Sequence, residues 1–167
     1  MIFYRIKQFY TYINAKITEE DKKYLNKNLN SVELELFKKL SKNEQKHCIN
    51  VAYCIEKTCR EYDNHINLQR LIKAALLHDI GKSCKRLNVF EKSIIVVLDN
   101  FTKGAIKRYE NFPKIGVYYN HGEMGYEILK KYNCYEDKLL YLIRNHHNDS
   151  IKDDIELNIL KKCDSNN

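Results

Sequence analysis

Five places in the chain carry side chains that can bind a metal ion or move a proton. They are His47, the pair His78-Asp79, His121, the pair His146-His147, and Asp164. Together they offer imidazole nitrogens and carboxylate oxygens and no thiolate. Such a set suits manganese, iron, magnesium or zinc at a hydrolytic centre, and does not suit a structural zinc site. Any one of these residues alone would be unremarkable, because a single histidine is more often packed or solvated than a ligand. The case rests on their joint occurrence. The most informative stretch is Ala74-Ala75-Leu76-Leu77-His78-Asp79-Ile80-Gly81-Lys82, where an apolar run ends on two adjacent metal-competent side chains at the edge of the core.

The elements that must position these residues read as helices. Ser41-Lys42-Asn43-Glu44 fits a capping box, and the helix behind it is expected to run to about Tyr62, with His47, Val51, Cys54, Ile55 and Thr58 on one face. Asn67 caps a helix over residues 68–78 that is apolar nearly all round, the mark of a central, buried element. The run Ile94-Ile95-Val96-Val97-Leu98 would suit a strand by composition, but no partner strand is evident, and it is read as helix. Residues 101–117, with Gly104, Pro113 and Gly116, are the most loop-like and are expected to form a mobile flap. Further helices are expected over residues 122–131, which His121 would precede, over 135–145, and over 154–163, closed by Asp164. Upstream, helical patterns cover residues 2–13, the stretch behind Thr18, and the stretch from Ser31. His65 fits no pattern and is read as a surface residue. The expectation is an all-α bundle of about eight or nine helices, with residues 1–40 packed as N-terminal helices on a core formed by 41–167.

Composition agrees. At 167 residues and 20.0 kDa the chain has the size of one domain with a real core. One proline and five glycines argue against an all-β design, which needs frequent turn residues. No apolar run reaches membrane-spanning length. The first residues are too short and too charged for a signal peptide, so the expected location is cytoplasmic. The six cysteines, with no Cys-x-x-Cys pair, are then expected to be reduced thiols. The net charge of +7 attracts phosphorylated molecules in general and makes a weaker case for nucleic acid.

The order His47, His78-Asp79, His121, His146, Asp164 resembles the HD-domain metal-dependent phosphohydrolase superfamily. His78-Asp79-Ile80-Gly81-Lys82 resembles its HDIG variant, and the likeness covers roughly residues 44–164. The opening helices also look like those of small stand-alone HD proteins. The resemblance implies an HD-domain-like helical bundle in which His47, His78, Asp79 and Asp164 hold one divalent ion. His121 and His146 match the two further histidines of dinuclear members, where the aspartate bridges both ions. Two ions per chain are thus implied, of iron, manganese, magnesium or zinc. The implied reaction is hydrolysis of a phosphate ester, of a nucleotide, by a metal-activated water. Asp79 and Lys82 would be its catalytic groups, and Lys82, His147 and Arg144 its substrate contacts. His147 competes with His146 for the metal. Tyr109, Tyr118 and Tyr119 are candidates for stacking on a base, and Lys85, Arg86, Lys103, Lys107 and Arg108 add positive charge nearby.

Several departures from relatives narrow this. No Gly-Tyr-Pro motif follows His146-His147, unlike the cyclic-di-GMP phosphodiesterases called HD-GYP. Asn43 stands where trinuclear members place a glutamate. No Glu-Asp pair follows Gly81, unlike the (p)ppGpp hydrolases. The alternative from another class is a catalytically silent nucleotide-binding or signalling HD domain that keeps the ligands without turnover.

Overall fold

A computed structural model describes residues 16–60, 66–85, 87 and 89–167. The helix expected over residues 2–13, as well as His65 and Arg86, lie outside the described residues. Among those described there are eight α-helices, two short 3-10 segments and no strand. The helices are α1 (Glu19–Asn28), α2 (Ser31–Lys38), α3 (Lys42–Cys59), α4 (Leu68–Leu77), α5 (Val89–Phe101), α6 (Pro113–Lys130), α7 (Asp137–Asn145) and α8 (Ile155–Asn166). The 3-10 segments are Ile80–Cys84, directly after α4, and Ala105–Tyr109, between α5 and α6. No described helix is long and apolar enough to cross a membrane.

The first three helices start alike. Thr18 with Asp21, Asn30 with Glu33, and Ser41 with Glu44 each form a capping box. In each, the cap side chain accepts from the backbone N–H three residues on, and the acid reaches back to the cap's own N–H. The acids also tie helices together. Buried Asp21 accepts from Lys46 on α3 at 2.7 Å, and buried Glu33 accepts from Lys73 on α4 at 2.9 Å.

Helix α4 is the centre. Leu71, Ala74, Ala75, Leu76 and Leu77 are fully buried, and the helix packs against α3, α7 and α8. Burial on every side explains why its sequence shows no polar stripe. The Ile94–Leu98 run is helical, within α5; only Ile95 of that run is buried.

Two sequence expectations are corrected. Helix α6 begins at Pro113, not near residue 122, so His121 lies inside a helix and does not precede one. Pro113 sits in the first turn, where its missing N–H costs nothing, and Gly116 marks close packing, with an added Cβ falling 2.5 Å from the Glu110 carbonyl oxygen. The connection that looked like a long flap is therefore confined to residues 102–112 and contains a 3-10 segment. The second correction concerns the thiols: Cys54 on α3 and Cys163 on α8 form a disulfide across 109 residues of sequence. Cys48, Cys59, Cys84 and Cys134 are free.

Candidate metal centre

Each candidate ligand comes from a place where the backbone leaves its side chain facing the same interior point. His47 projects from the second turn of α3 and Asp164 from the last turn of α8; His47 Nε2 and Asp164 Oδ1 are 2.8 Å apart. His78 is the C-cap of α4. Its Nδ1 donates to the Ala75 carbonyl at 2.7 Å, which turns Nε2 toward Asp79 Oδ1 and Asp164 Oδ1, both at 3.6 Å. Asp79 follows at the start of the 3-10 segment. Its Oδ2 accepts from Lys82 Nζ at 2.5 Å, and its Oδ1 lies 3.3 Å from His121 Nε2 and 3.9 Å from His146 Nε2.

Glycines bring the second half of the cluster in. An added Cβ on Gly81 would lie 1.9 Å from the His121 carbonyl oxygen, so only glycine lets the segment after α4 lie on α6. Gly122 does the same between α6 and α7, where a Cβ would meet the Arg144 carbonyl at 2.8 Å. The result sets His121 Nε2 at 3.2 Å from His146 Nε2 and 3.0 Å from His147 Nε2. His146 caps α7 and donates from Nδ1 to the Ile143 carbonyl at 2.7 Å. His121 Nδ1 donates to the carbonyls of Val117 and Tyr118, each at 3.1 Å.

Three buried histidines therefore spend Nδ1–H on backbone carbonyls, which cannot donate in return. In each neutral ring this leaves a lone pair on Nε2. The Nε2 atoms of His121 and His146 then face one another as two acceptors, which repel unless a cation lies between them. Two further atoms point the same way. His78 Nε2 and Asp79 Oδ1 are fully buried and have no hydrogen-bond partner among the described residues, a costly state for polar groups unless something else satisfies them. His47, His78 and Asp79 have ligand atoms close enough to share one ion, as do His121, His146 and His147, and His78, His146 and Asp164. The residues fit divalent metal. The backbone-fixed rings also supply the outer support that orients imidazole ligands.

The charges are strongly coupled. Burial opposes ionisation of Asp79, but Lys82 and His78 hold its carboxyl well below the usual carboxylate range. Burial likewise works against Asp164, and hydrogen bonds from His47 and His78 pull it well below its ordinary value. Burial disfavours a charged His78, yet the Asp79 carboxylate outweighs it and raises the ring well above 6.5. His146 is held well below 6.5 by burial and by His78, and His47 is lowered by burial. His147 is pushed to about 4 by burial and by His121.

A cavity of about 740 Å³ opens onto this cluster, within the range of about 300–1,000 Å³ usual for small-molecule sites. Lys82, His121, His147 and Asp164 reach its wall, as do Tyr118, Tyr119 and Lys107. His147 is the wet histidine, with its side chain 54% exposed, whereas His146 is 1% exposed. Arg144 lies elsewhere: it pairs with Glu123 at 2.5 Å and stacks on Tyr126. It borders a separate shallow cleft that shares only Tyr119 and His147 with the main cavity. Tyr109 is exposed and does not line the cavity. Lys92 on α5 does, and no local pattern singled it out. The Lys82 charge and burial push it down to about 8. Asp99, also missed, accepts from the Tyr119 hydroxyl and so fixes that ring at the wall.

A family model described as HD domain matches residues 45–165, most of the chain and all seven candidate ligand residues. No curated protein and no solved structure matches it.

Proposed function

Because the chain belongs to the HD-domain family, whose members are generally metal-dependent phosphohydrolases, we propose that it hydrolyses a phosphate ester of a nucleotide. The observation that carries this reading is the pair of buried, unpartnered atoms, His78 Nε2 and Asp79 Oδ1, at the centre of converging imidazoles and carboxylates. His47, His78, Asp79 and Asp164 would hold one ion. His121 and His146, with His147 beside them, would hold a second, and Asp79 would serve both. Bound divalent ions supply Lewis acidity toward a phosphoryl group and make water a nucleophile at neutral pH.

The remaining work falls to the chain's own side chains. Lys82, placed against Asp79 by the 3-10 turn, presents positive charge where phosphoryl oxygens would sit, a contact whose strength grows as charge develops. Lys92 and Lys107, also on the cavity wall, draw an anionic substrate in. Tyr118 and Tyr119 meet edge to face and offer an aromatic wall for a base, which favours a nucleotide over a bare phosphate. His147, neutral at pH 7, accepts a hydrogen bond at the mouth and does not donate charge there.

The test is elemental analysis of protein purified without chelators, followed by hydrolysis assays over nucleotide monoesters, diesters and polyphosphates. Two ions per chain and chelator-sensitive turnover are expected. Metal-loaded protein that turns over none of them would overturn the reading, and tight nucleotide binding without hydrolysis would replace it with a ligand-binding domain.

A further inference from the structure

Helix α3 carries both His47 and Cys54, seven positions apart and so close to two helical turns, on the same face. Helix α8 carries Cys163 and Asp164 side by side in its last turns. The Cys54–Cys163 disulfide joins these two helices with a Cα–Cα distance of 5.7 Å. Thr58 Oγ1 lies 3.7 Å from Cys163 Sγ on the same seam. One residue beyond the bond, Asp164 Oδ1 meets His47 Nε2 at 2.8 Å and stands 3.6 Å from His78 Nε2.

The other ties of α8 lie at its start and middle, where Lys161 donates to the carbonyls of Asn148 and Ile151. Glu156 accepts from Arg70 at 2.6 Å and from the Asn67 backbone at 3.0 Å, and Leu157 and Leu160 are fully buried. Towards its end the helix is held covalently, next to the residue that faces the cluster. A carboxylate ligand must be held within a fraction of an ångström to be effective, and a side chain tethered by its neighbour loses less freedom when an ion binds.

We propose that the Cys54–Cys163 disulfide is the positioning device for Asp164, so that retention of the ion at the His47–Asp164 side depends on thiol redox state. The proposal rests on the reading of Asp164 as a metal ligand. Reduction requires a dithiol, small or protein-borne. Its thiolate attacks the half-buried Cys54 sulfur, the S–S bond breaks, and Cys163 leaves as thiolate and takes a proton. The second thiol of the reductant then closes its own disulfide and releases Cys54. Two electrons and two protons end on the two cysteines, and the dithiol is oxidised. The last turn of α8 then gains freedom, and Asp164 is less well aimed at His47 and His78. Linkage works in both directions: an ion that holds α3 and α8 together also protects the disulfide from reduction, by the same factor.

The experiment is Mn(II) titration calorimetry on air-oxidised protein, on dithiothreitol-reduced protein and on the Cys54→Ser/Cys163→Ser double variant, with circular dichroism to follow helix content. Thiol counting should find four free cysteines in the oxidised form and six after reduction. One Mn(II) site is expected to weaken about 10-fold or more in both thiol forms, with helix content kept and the other site little changed. Bound Mn(II) should also shift the dithiol concentration needed to open the bond in the wild-type protein, a measurement that needs no variant to fold. Equal affinities in all three forms, or six free thiols in the air-oxidised protein, would overturn the clamp and leave the metal centre standing. Oxidised protein that binds no Mn(II) would overturn the metal centre and the clamp with it.

Discussion

Asp79 has two oxygens with different surroundings: Oδ2 accepts from Lys82, and Oδ1, buried among three imidazoles, accepts from nothing. That asymmetry is what a carboxylate shared between ions and a substrate-side lysine needs. Asp79→Asn keeps the shape and removes the charge. It is expected to lower activity by at least about 100-fold and to reduce bound metal, measured by elemental analysis; full occupancy in the variant would sink the bridging role. Lys82→Ala should separate the other function. Turnover is expected to fall about 100-fold while metal stoichiometry stays at the wild-type level, and an unchanged kcat/KM would show that Lys82 serves only Asp79. At this scale the sequence points to the residues that the fold gathers, and their roles are for the variants above to establish. His47, His78, Asp79, His121, His146 and Asp164 could be chosen because their residue types can bind a metal and their order resembles the HD-domain pattern; the fold brings their side chains together. Lys92 and Asp99 could not, since nothing local distinguishes a lysine facing a cavity from one facing water.

The elements explain why the ligands meet. The 3-10 turn after α4 rests on α6 backbone to backbone, and Gly81 is the residue that allows it. Gly81→Ala would force α6 away from the turn, since its Cβ would meet a carbonyl that cannot rotate aside. A loss of about 1–3 kcal/mol of stability is expected, read as a fall in Tm, together with loss of metal because His121 moves with α6. A variant with wild-type Tm and metal content would contradict this packing account. Other residues hid the start of α6 from the sequence. Gly116 and Pro113 carry the signature of a loop, yet here they serve close packing and a helix start. Helix starts, by contrast, are local signals: the capping box at Ser41 and the helix behind Thr18 are both legible, and the structure adds that Thr18 forms a capping box as well. The Cys54–Cys163 bond spans 109 residues, and no spacing rule reaches that far.

For the whole molecule, the cluster sets a pH dependence. In the metal-free protein His47 and His146 are held below 6.5 and His147 near 4. Below about pH 6.5 the unfolded chain therefore takes up protons that the native protein refuses, so stability falls as pH falls. His78 acts oppositely: its raised native pKa gives stability that is fully present below 6.5 and lost as pH rises through the raised value. The contributions of Asp79 and Asp164 are present above 3.8 and are lost only as pH falls through their depressed native values. Between pH 6.5 and about 4 the two more buried of the lowered histidines, His47 and His146, decide the sign. Thermal melts of chelated protein should show Tm falling from about pH 7 to pH 5; a rising Tm would contradict the burial of His47 and His146. Added metal should raise Tm, and less so in acid, because ion and proton compete for His78. The hydrogen bonds from His78, His121 and His146 to carbonyls of their own helices carry one more consequence, and it concerns time. The rings are locked by the helices that bear them, so no segment has to fold before an ion can enter. Loading of each ion should be bimolecular and first order in ion, with no slow phase independent of ion concentration, and stripping followed by reloading should return the same centre.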